Sequence, residues 1–219
     1  MYGRSGLRMR CKAAAYQSDS QARTKGWGFY SFFKRLFEVV FSVSLLLFIL
    51  PVLLLTAAAI KLESRGPIFY KQERVGLNGR PFHVIKLRSM RMDAEKNGPQ
   101  WASKDDPRVT RVGKFIRKTR IDEVPQLINV LRGDMSLIGP RPERQVFTDK
   151  FAKEIPGFKQ RLIVKPGLTG WAQVNGGYEA TPEEKFEMDM YYIQKQSFLL
   201  DMKILVRTVW VVLSGTGAR

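Results

Sequence analysis

Val39-Val-Phe-Ser-Val-Ser-Leu-Leu-Leu-Phe-Ile-Leu-Pro-Val-Leu-Leu-Leu-Thr-Ala-Ala-Ala-Ile60 is a run of 22 residues without a charged side chain. As one continuous helix it would be about 33 Å long at 1.5 Å per residue, which is enough to cross the hydrocarbon layer of a bilayer. The run begins too late in the chain, and lacks the small-residue cleavage site, for a secretory signal. It therefore predicts a membrane helix.

Two features bear on how this helix sits in the membrane. Pro51 lies in its middle, where it removes a backbone hydrogen bond and kinks or breaks the helix. Both flanks are net basic, with eight Lys or Arg against one Asp in residues 1–35 and five against two Glu in residues 61–80. The positive-inside tendency favours the cytoplasmic side for both flanks. The residues alone leave two topologies open: a re-entrant helix that returns to the same face, or an ordinary kinked transmembrane helix.

The composition limits the class of partner and of metal site. The chain has 219 residues, 37 Lys+Arg against 20 Asp+Glu and a formal net charge of +17, which indicates a polyanionic partner: nucleic acid, anionic lipid or a phosphate-bearing substrate. A single cysteine, Cys11, excludes an internal disulfide, and a single histidine, His83, excludes a multi-histidine metal site. A metal would be held by carboxylates, phosphates and water, which favours Mg²⁺.

The predicted fold class is α+β and mainly helical, with a small β-hairpin and amphipathic surface helices. We expect a basic disordered tail at residues 1–28, a membrane helix broken at Pro51 at 29–61, and a folded domain at 62–219. The hairpin is predicted at residues 66–72 and 80–90 around the turn at 76–79, followed by a mobile loop at 93–108. Helices are predicted at Arg111–Lys118, Asp122–Leu131, Glu143–Ile155, Pro182–Gln194 and Phe198–Ser214.

The best candidate for the chemistry is the acid pair Asp122-Glu123, which stands in a basic run. The surrounding cations are Lys114, Arg117, Lys118 and Arg120. An acid flanked by cations stays ionised and can act as a nucleophile or a metal ligand, while its neighbour exchanges protons. A surface ion-pair cluster is the alternative interpretation.

Three other stretches carry groups suited to phosphates or nucleotides. Arg141 stands between Pro140 and Pro142, so a stiff backbone would aim its guanidinium, which suits two-point binding of phosphate oxygens. Lys86 and Arg88 are two residues apart on a predicted strand and would face the same way. The glycines and amide side chains of residues 165–177 could approach a nucleotide or a sugar, although a structural turn explains them almost as well.

Several motifs, in order along the chain, resemble the bacterial sugar transferase family, the monotopic phosphoglycosyl transferases that begin polysaccharide and glycoconjugate assembly on a polyprenol phosphate. The resemblance covers roughly residues 33–215. The matching stretches are Lys34-Arg-Leu-Phe-Glu38, Gly66-Pro-Ile-Phe-Tyr-Lys-Gln-Glu-Arg-Val-Gly-Leu-Asn-Gly79, Lys86-Leu-Arg-Ser-Met90, the run from Asp122 to Pro142, Lys165-Pro-Gly-Leu-Thr-Gly-Trp-Ala-Gln-Val-Asn-Gly176 and Phe186-Glu-Met-Asp-Met-Tyr-Tyr192.

The resemblance implies an enzyme of the cytoplasmic face of the bacterial plasma membrane that transfers a sugar 1-phosphate from a UDP-sugar to polyprenol (undecaprenyl) phosphate and releases UMP. It implies Asp122 as the nucleophile, Glu123 as its assistant, both as ligands of Mg²⁺, and a re-entrant helix. Further expected site residues are Lys86, Arg88, Arg117 and Arg141 for phosphates, with Asp189 and Asp134 in support. Anionic lipids are expected partners, nucleic acid is not, and homodimerisation is left open.

Three positions depart from the family pattern, and two other classes of protein remain as alternatives. Leu50 precedes the proline where Ser is frequent, Glu38 stands where Asp is common, and Gly177 stands where Arg is common, which puts a phosphate contact at 177 in doubt. A membrane-anchored nucleic-acid-binding protein would tolerate Asp122→Asn, whereas the transferase would not, and the intact Asp-Glu pair argues against a noncatalytic scaffold. The sequence does not specify the sugar or the glycan.

Overall fold

The computed structural model describes residues 27–96, 98, 100, 106–176 and 180–215. It begins with one long helix, α1, at Trp27–Glu63. Its segment Gly28–Glu63 is long and apolar enough to cross a membrane. The predicted basic tail lies outside the described residues, except that residues 27 and 28 already belong to α1. The secondary structure stays helical through Pro51, so the predicted break is not observed as an interruption, and re-entry stays a prediction.

The predicted hairpin is confirmed. Strands β1, Phe69–Val75, and β2, Pro81–Leu87, pair antiparallel with Phe69 opposite Leu87. A short 3₁₀ turn, Leu77–Gly79, connects them and holds Asn78 at φ 54° and Gly79 at φ 80°. Asn and Gly are the residue types that enter this left-handed region most readily, which explains the turn at this dipeptide.

The predicted helices are present, with one correction. After α2, Arg111–Lys118, the predicted helix at Asp122–Leu131 divides into a 3₁₀ helix at Ile121–Gln126 and α3 at Leu127–Arg132, ended by Gly133 at φ 89°. Pro125 has no N–H to donate within the first turns, so the chain takes up tighter 3₁₀ pairing there. The later helices are α4, Gln145–Glu154; α5, Trp171–Asn175; α6, Pro182–Lys195; and α7, Phe198–Ser214, with a 3₁₀ helix at Phe158–Ile163.

A second, parallel pair of strands was not predicted. Strands β3, Ser136–Ile138, and β4, Gly167–Thr169, have only three residues each, and Ser136 lies opposite Gly167. A Cβ added to Gly167 would lie 2.1 Å from the backbone nitrogen of Gly139, so only glycine permits this approach. The pair brings the Gly-Pro-Arg-Pro stretch beside the Lys-Pro-Gly-Leu-Thr-Gly stretch.

Helix α1 packs along the folded domain over much of its length. Its residues Phe37, Leu45 and Leu46 pack against the main apolar core, while Leu53 and Ile60 belong to a second cluster. The opposite face of α1 exposes large apolar side chains to an extent that is unusual for a water-soluble surface and typical of contact with lipid, for example 84% of Phe48, 73% of Leu55 and 88% of Leu62.

Polar contacts fix both ends of α1 to the same domain. Near its start, the Tyr30 hydroxyl donates to the Asp201 carboxylate at 2.6 Å. About a third of the way along α1, the Glu38 carboxylate accepts hydrogen bonds from the Ser136 hydroxyl and from the Leu137 N–H at 3.1 Å. At its end, Arg88 donates to the Ser64 carbonyl at 2.8 Å, and the Glu63 carboxylate accepts from the first N–H groups of α2. These carbonyls and N–H groups would otherwise be the unsatisfied groups of two helix termini.

Candidate active site

A left-handed residue sets the position of the acid pair. Arg120 lies between α2 and the 3₁₀ helix at φ 56°, and this turn places Asp122 and Glu123 in the first turn of the 3₁₀ helix. Both carboxylates line a cavity of about 480 Å³. Only 7% of Asp122 is exposed to solvent. The pair is therefore part of a cavity wall, in which Asp122 is buried and Glu123 forms ion pairs with Lys86 and Arg141.

Glu123 is held by two cations. Its Oε1 atom accepts a hydrogen bond from Lys86 Nζ at 2.7 Å and another from Arg141 Nη2. Burial alone would raise the pKa of Glu123, but the charges of Arg141 and Lys86 together hold that pKa well below its usual range. Glu123 is thus a fixed carboxylate at neutral pH, and it holds Lys86 and Arg141 in place.

Asp122 has the opposite electrostatic character. Burial, and then the neighbouring Glu123 carboxylate, raise the pKa of Asp122 to about 6, against the attraction of Lys86, Arg117 and Arg141. The cations that were expected to dominate only moderate the effect of burial. At neutral pH the carboxylate is ionised in most molecules, and it is more basic than an ordinary aspartate, which favours nucleophilic attack.

Four other predicted site residues lie in the cavity wall: Lys86, Arg117, Arg141 and Asp189. Arg117 Nε donates to the Ser89 hydroxyl at 3.0 Å. Asp189 is 2% exposed and forms a buried ion pair of 2.6 Å with Arg161, and the same Arg161 nitrogen donates to the Arg141 carbonyl at 2.9 Å. Asp189 therefore acts on the site through Arg161, which anchors the backbone of Arg141.

The other two predicted residues have structural contacts. Arg88 borders the cavity, but its guanidinium binds the carbonyls at the end of α1. Asp134 is not among the residues that line the cavity, and it accepts a hydrogen bond of 3.4 Å from Asn129. Asn129 in turn binds the backbone of β2 at His83 and Ile85. Asp134 therefore lies behind the site, at the junction of α3 and β2.

Sequence reasoning missed several charged residues of the wall. Arg74 is bound to the Pro142 carbonyl and to Gln72, and burial lowers its pKa. Glu95 accepts hydrogen bonds from Gln72 and Arg144. A buried Asp189 could have indicated a basic partner, but nothing in the sequence identified Arg161. In the described part of the chain the wall carries eleven Lys or Arg against five acids, an excess that suits a diphosphate.

The residues that could hold a divalent cation are the two carboxylates of the pair. Among the described residues, no group of three or more His, Cys, Asp and Glu side chains could form a complete protein site. Asp122 and Glu123 supply hard oxygen donors at the cavity, and Mg²⁺ is commonly bound by one or two carboxylates together with substrate phosphates and water. The donor set therefore fits Mg²⁺ brought together with a phosphate-bearing substrate.

The chain is similar to known proteins over most of its length. The model of the family described as bacterial sugar transferase matches residues 29–215. The chain is 50% identical over 193 residues to the UDP-N-acetylgalactosamine-undecaprenyl-phosphate N-acetylgalactosaminephosphotransferase of Aeromonas hydrophila, covering 87% of this chain and 46% of that protein.

Several relatives carry the name UDP-glucose:undecaprenyl-phosphate glucose-1-phosphate transferase, and two of them show the range of coverage. One, from Caulobacter vibrioides, is 45% identical over 190 residues, with 84% of this chain and 71% of that protein covered. The other, from Escherichia coli, is 43% identical over 182 residues, with 81% and 39% covered. The chain thus spans less than half of the Aeromonas and Escherichia proteins and most of the Caulobacter protein.

Proposed function

Because the chain belongs to the bacterial sugar transferase family, we propose that it transfers a sugar 1-phosphate from a UDP-sugar to undecaprenyl phosphate, giving a diphosphate-linked lipid sugar and UMP. The observation that carries the proposal is the buried Asp122 carboxylate, of raised pKa, beside cations fixed by Glu123. The names of the relatives share undecaprenyl phosphate and differ in the sugar, so the sugar is left unassigned. The family match does not favour a nucleic-acid-binding protein or a scaffold.

The proposed route has two displacements at one phosphorus atom. The Asp122 carboxylate attacks the phosphorus that carries the sugar, and the bond from that phosphorus to the bridging oxygen breaks, so UMP leaves with the electron pair. An oxygen of undecaprenyl phosphate then attacks the same phosphorus and breaks its bond to Asp122. The carboxylate is regenerated, and no oxidant, reductant or further reactant is required.

Different residues of the cavity neutralise charge and hold the site in position in this route. Arg141 and Lys86, both held by Glu123, would neutralise the charge of the diphosphate. Arg161 fixes the Arg141 backbone, so that this guanidinium needs little reorganisation when substrate binds. When bound by Asp122 and Glu123, Mg²⁺ would supply further neutralisation of phosphate oxygens.

The acceptor is a lipid, and the arrangement of α1 supports a membrane-surface location. A crossing helix would have lipid around its middle, whereas α1 contacts the folded domain from Phe37 to Ile60 and exposes apolar residues on its other face. A domain with a basic surface cannot enter the hydrocarbon layer, so it cannot stay packed along a helix that crosses that layer. We therefore propose that α1 is re-entrant at the cytoplasmic face of the plasma membrane, with the basic surface attracted to anionic lipid.

The covalent step is tested by giving the enzyme a labelled UDP-sugar without lipid acceptor. We expect a burst of UMP close to one equivalent per active enzyme, with label retained on the protein, and neither with Asp122→Asn. Undecaprenyl phosphate added afterwards should remove the label. Turnover with acceptor, but no burst and no labelled protein without it, would replace the covalent route by direct attack in a ternary complex.

A further inference from the structure

Gln173 is a cavity residue to which the proposed chemistry gives no role. It lies on α5 and lines the same cavity as the acid pair. Both its Oε1 and its Nε2 atoms are buried, and neither has a hydrogen-bond partner in the part of the chain that the structure describes. A buried amide without partners destabilises the fold, so an unused donor and acceptor on a residue of the cavity wall indicate a ligand.

The comparison with Gln72 shows that this is not a general property of the wall. Gln72 lines the same cavity, but its Nε2 atom donates to Tyr70 and Glu95, and its Oε1 atom accepts from Arg74. The amide of Gln72 is therefore used by the protein. The amide of Gln173 is left for a bound molecule.

Neighbouring side chains fix the position of α5. The Trp171 ring stacks on Tyr191 with centroids 5.4 Å apart, and Lys203 and Arg207 lie 5.6 and 5.3 Å from it. Arg207 also donates to Asn175. With α5 held at both ends, the backbone of Gln173 is fixed before a ligand binds.

We propose that Gln173 binds the pyrimidine base of the donor, with its carbonyl accepting the ring N3–H and its NH₂ group donating to an adjacent ring carbonyl. This inference rests on the proposed function. The uracil edge presents an acceptor beside a donor, which a neutral amide matches, whereas phosphates are matched by the cations around Glu123. The aromatic side chains of Phe151, Phe158 and Phe186 line the same cavity, and such walls suit a planar base.

The test measures the binding of two ligands to wild type and to two variants, by calorimetry on the full chain in nanodiscs. The ligands are UMP and 3-methyl-UMP, in which the N3–H is replaced by a methyl group. The variants are Gln173→Met, which keeps the side-chain volume without hydrogen bonds, and Gln145→Met as a control on the exposed face of α4. We expect wild type and the control to bind UMP about tenfold or more tightly than 3-methyl-UMP, and Gln173→Met to bind both equally weakly.

Equal binding of UMP and 3-methyl-UMP by wild type would overturn the inference without any variant, so a failure of Gln173→Met to fold does not remove the test. If Gln173→Met binds UMP as wild type does but has an altered preference among UDP-sugars, then Gln173 contacts the sugar. That result would also overturn the inference that Gln173 binds the base. The proposed function fails on a different result, namely no UMP release by wild type from any UDP-sugar in the presence of undecaprenyl phosphate.

Discussion

At the scale of single residues, the acid pair shows two neighbouring carboxylates whose pKa values are shifted in opposite directions by their surroundings. Glu123 has hydrogen bonds from Lys86 and Arg141, and its pKa falls well below the usual range. Asp122 is buried beside a permanent negative charge, and its pKa rises to about 6. Environments that separate the pKa values of adjacent acids are a general means of assigning different roles to them.

The raised pKa of Asp122 predicts the pH dependence of the donor half-reaction. Only the ionised carboxylate attacks, so kcat/KM for the UDP-sugar should rise tenfold per pH unit at low pH and level off above pH of about 6. The quantity to measure is kcat/KM for the UDP-sugar. The phosphate of the acceptor titrates in the same pH range, but the acceptor does not take part in this step.

The same pH profile of kcat/KM should be measured for the variant Glu123→Gln and compared with that of wild type. Removing the Glu123 charge takes away a cause of the raised pKa of Asp122, so the acidic limb should move to lower pH while the plateau falls. An acidic limb that stays at the same pH in Glu123→Gln would show that the titrating group is not Asp122.

At the scale of elements, the sequence predicted those parts whose signals are local. The hairpin followed from its Asn-Gly turn, and α7 followed from a long apolar run, with bounds of Phe198–Ser214 in both prediction and structure. Strands β3 and β4 escaped prediction because three residues carry no measurable period. The acid pair and Arg141 were found from sequence, but Arg161 was not, because its partner Asp189 is distant in the chain and no local pattern joins them.

Strand β3 links helix α1 to Arg141 in the cavity wall. Glu38 of α1 accepts hydrogen bonds from Ser136 and Leu137, and Lys34, one turn earlier, donates to the Ile138 carbonyl at 3.3 Å. Arg141 follows only three residues after β3. Glu38 is not among the residues that line the cavity, and we infer that it positions Arg141 through β3.

We expect Glu38→Leu to leave the Leu137 N–H buried and unpaired, at a cost of about 1–3 kcal/mol in the free energy of unfolding, and to lower kcat about tenfold with a smaller change in KM. Glu38→Gln keeps an acceptor oxygen and should restore most of kcat. Thermal unfolding and steady-state kinetics in the same nanodiscs measure both effects. A Glu38→Gln enzyme as impaired as Glu38→Leu would mean that the charge matters, and not the accepted hydrogen bonds.

At the scale of the whole molecule, the apolar segment and the basic domain are parts of one packing arrangement. A straight helix of 37 residues is about 55 Å long, yet Tyr30 near its start and Glu63 at its end make hydrogen bonds with the same domain. Between them, Ser42 and Thr56 are also buried against it, at 0% and 8% exposure. One face of such a helix contacts protein and the other contacts lipid along its length. A transmembrane helix whose domain lies on one side of the membrane would instead be surrounded by lipid.

This arrangement predicts that both ends of α1 lie on the side of the membrane that holds the folded domain. In a Cys11→Ser background, single cysteines at the exposed positions Ser31 and Lys61 would flank α1, and a third at Lys159, whose side chain is 63% exposed, would mark the domain. In intact spheroplasts none of the three should react with a membrane-impermeant maleimide, whereas after lysis all three should, because a helix that returns to its own face leaves no residue outside. Labelling of Ser31→Cys from outside, with Lys61→Cys and Lys159→Cys protected, would identify an ordinary transmembrane helix. In that case the contacts of Glu38 with β3 could not exist in the membrane, and the dependence of kcat on Glu38 would be lost with them.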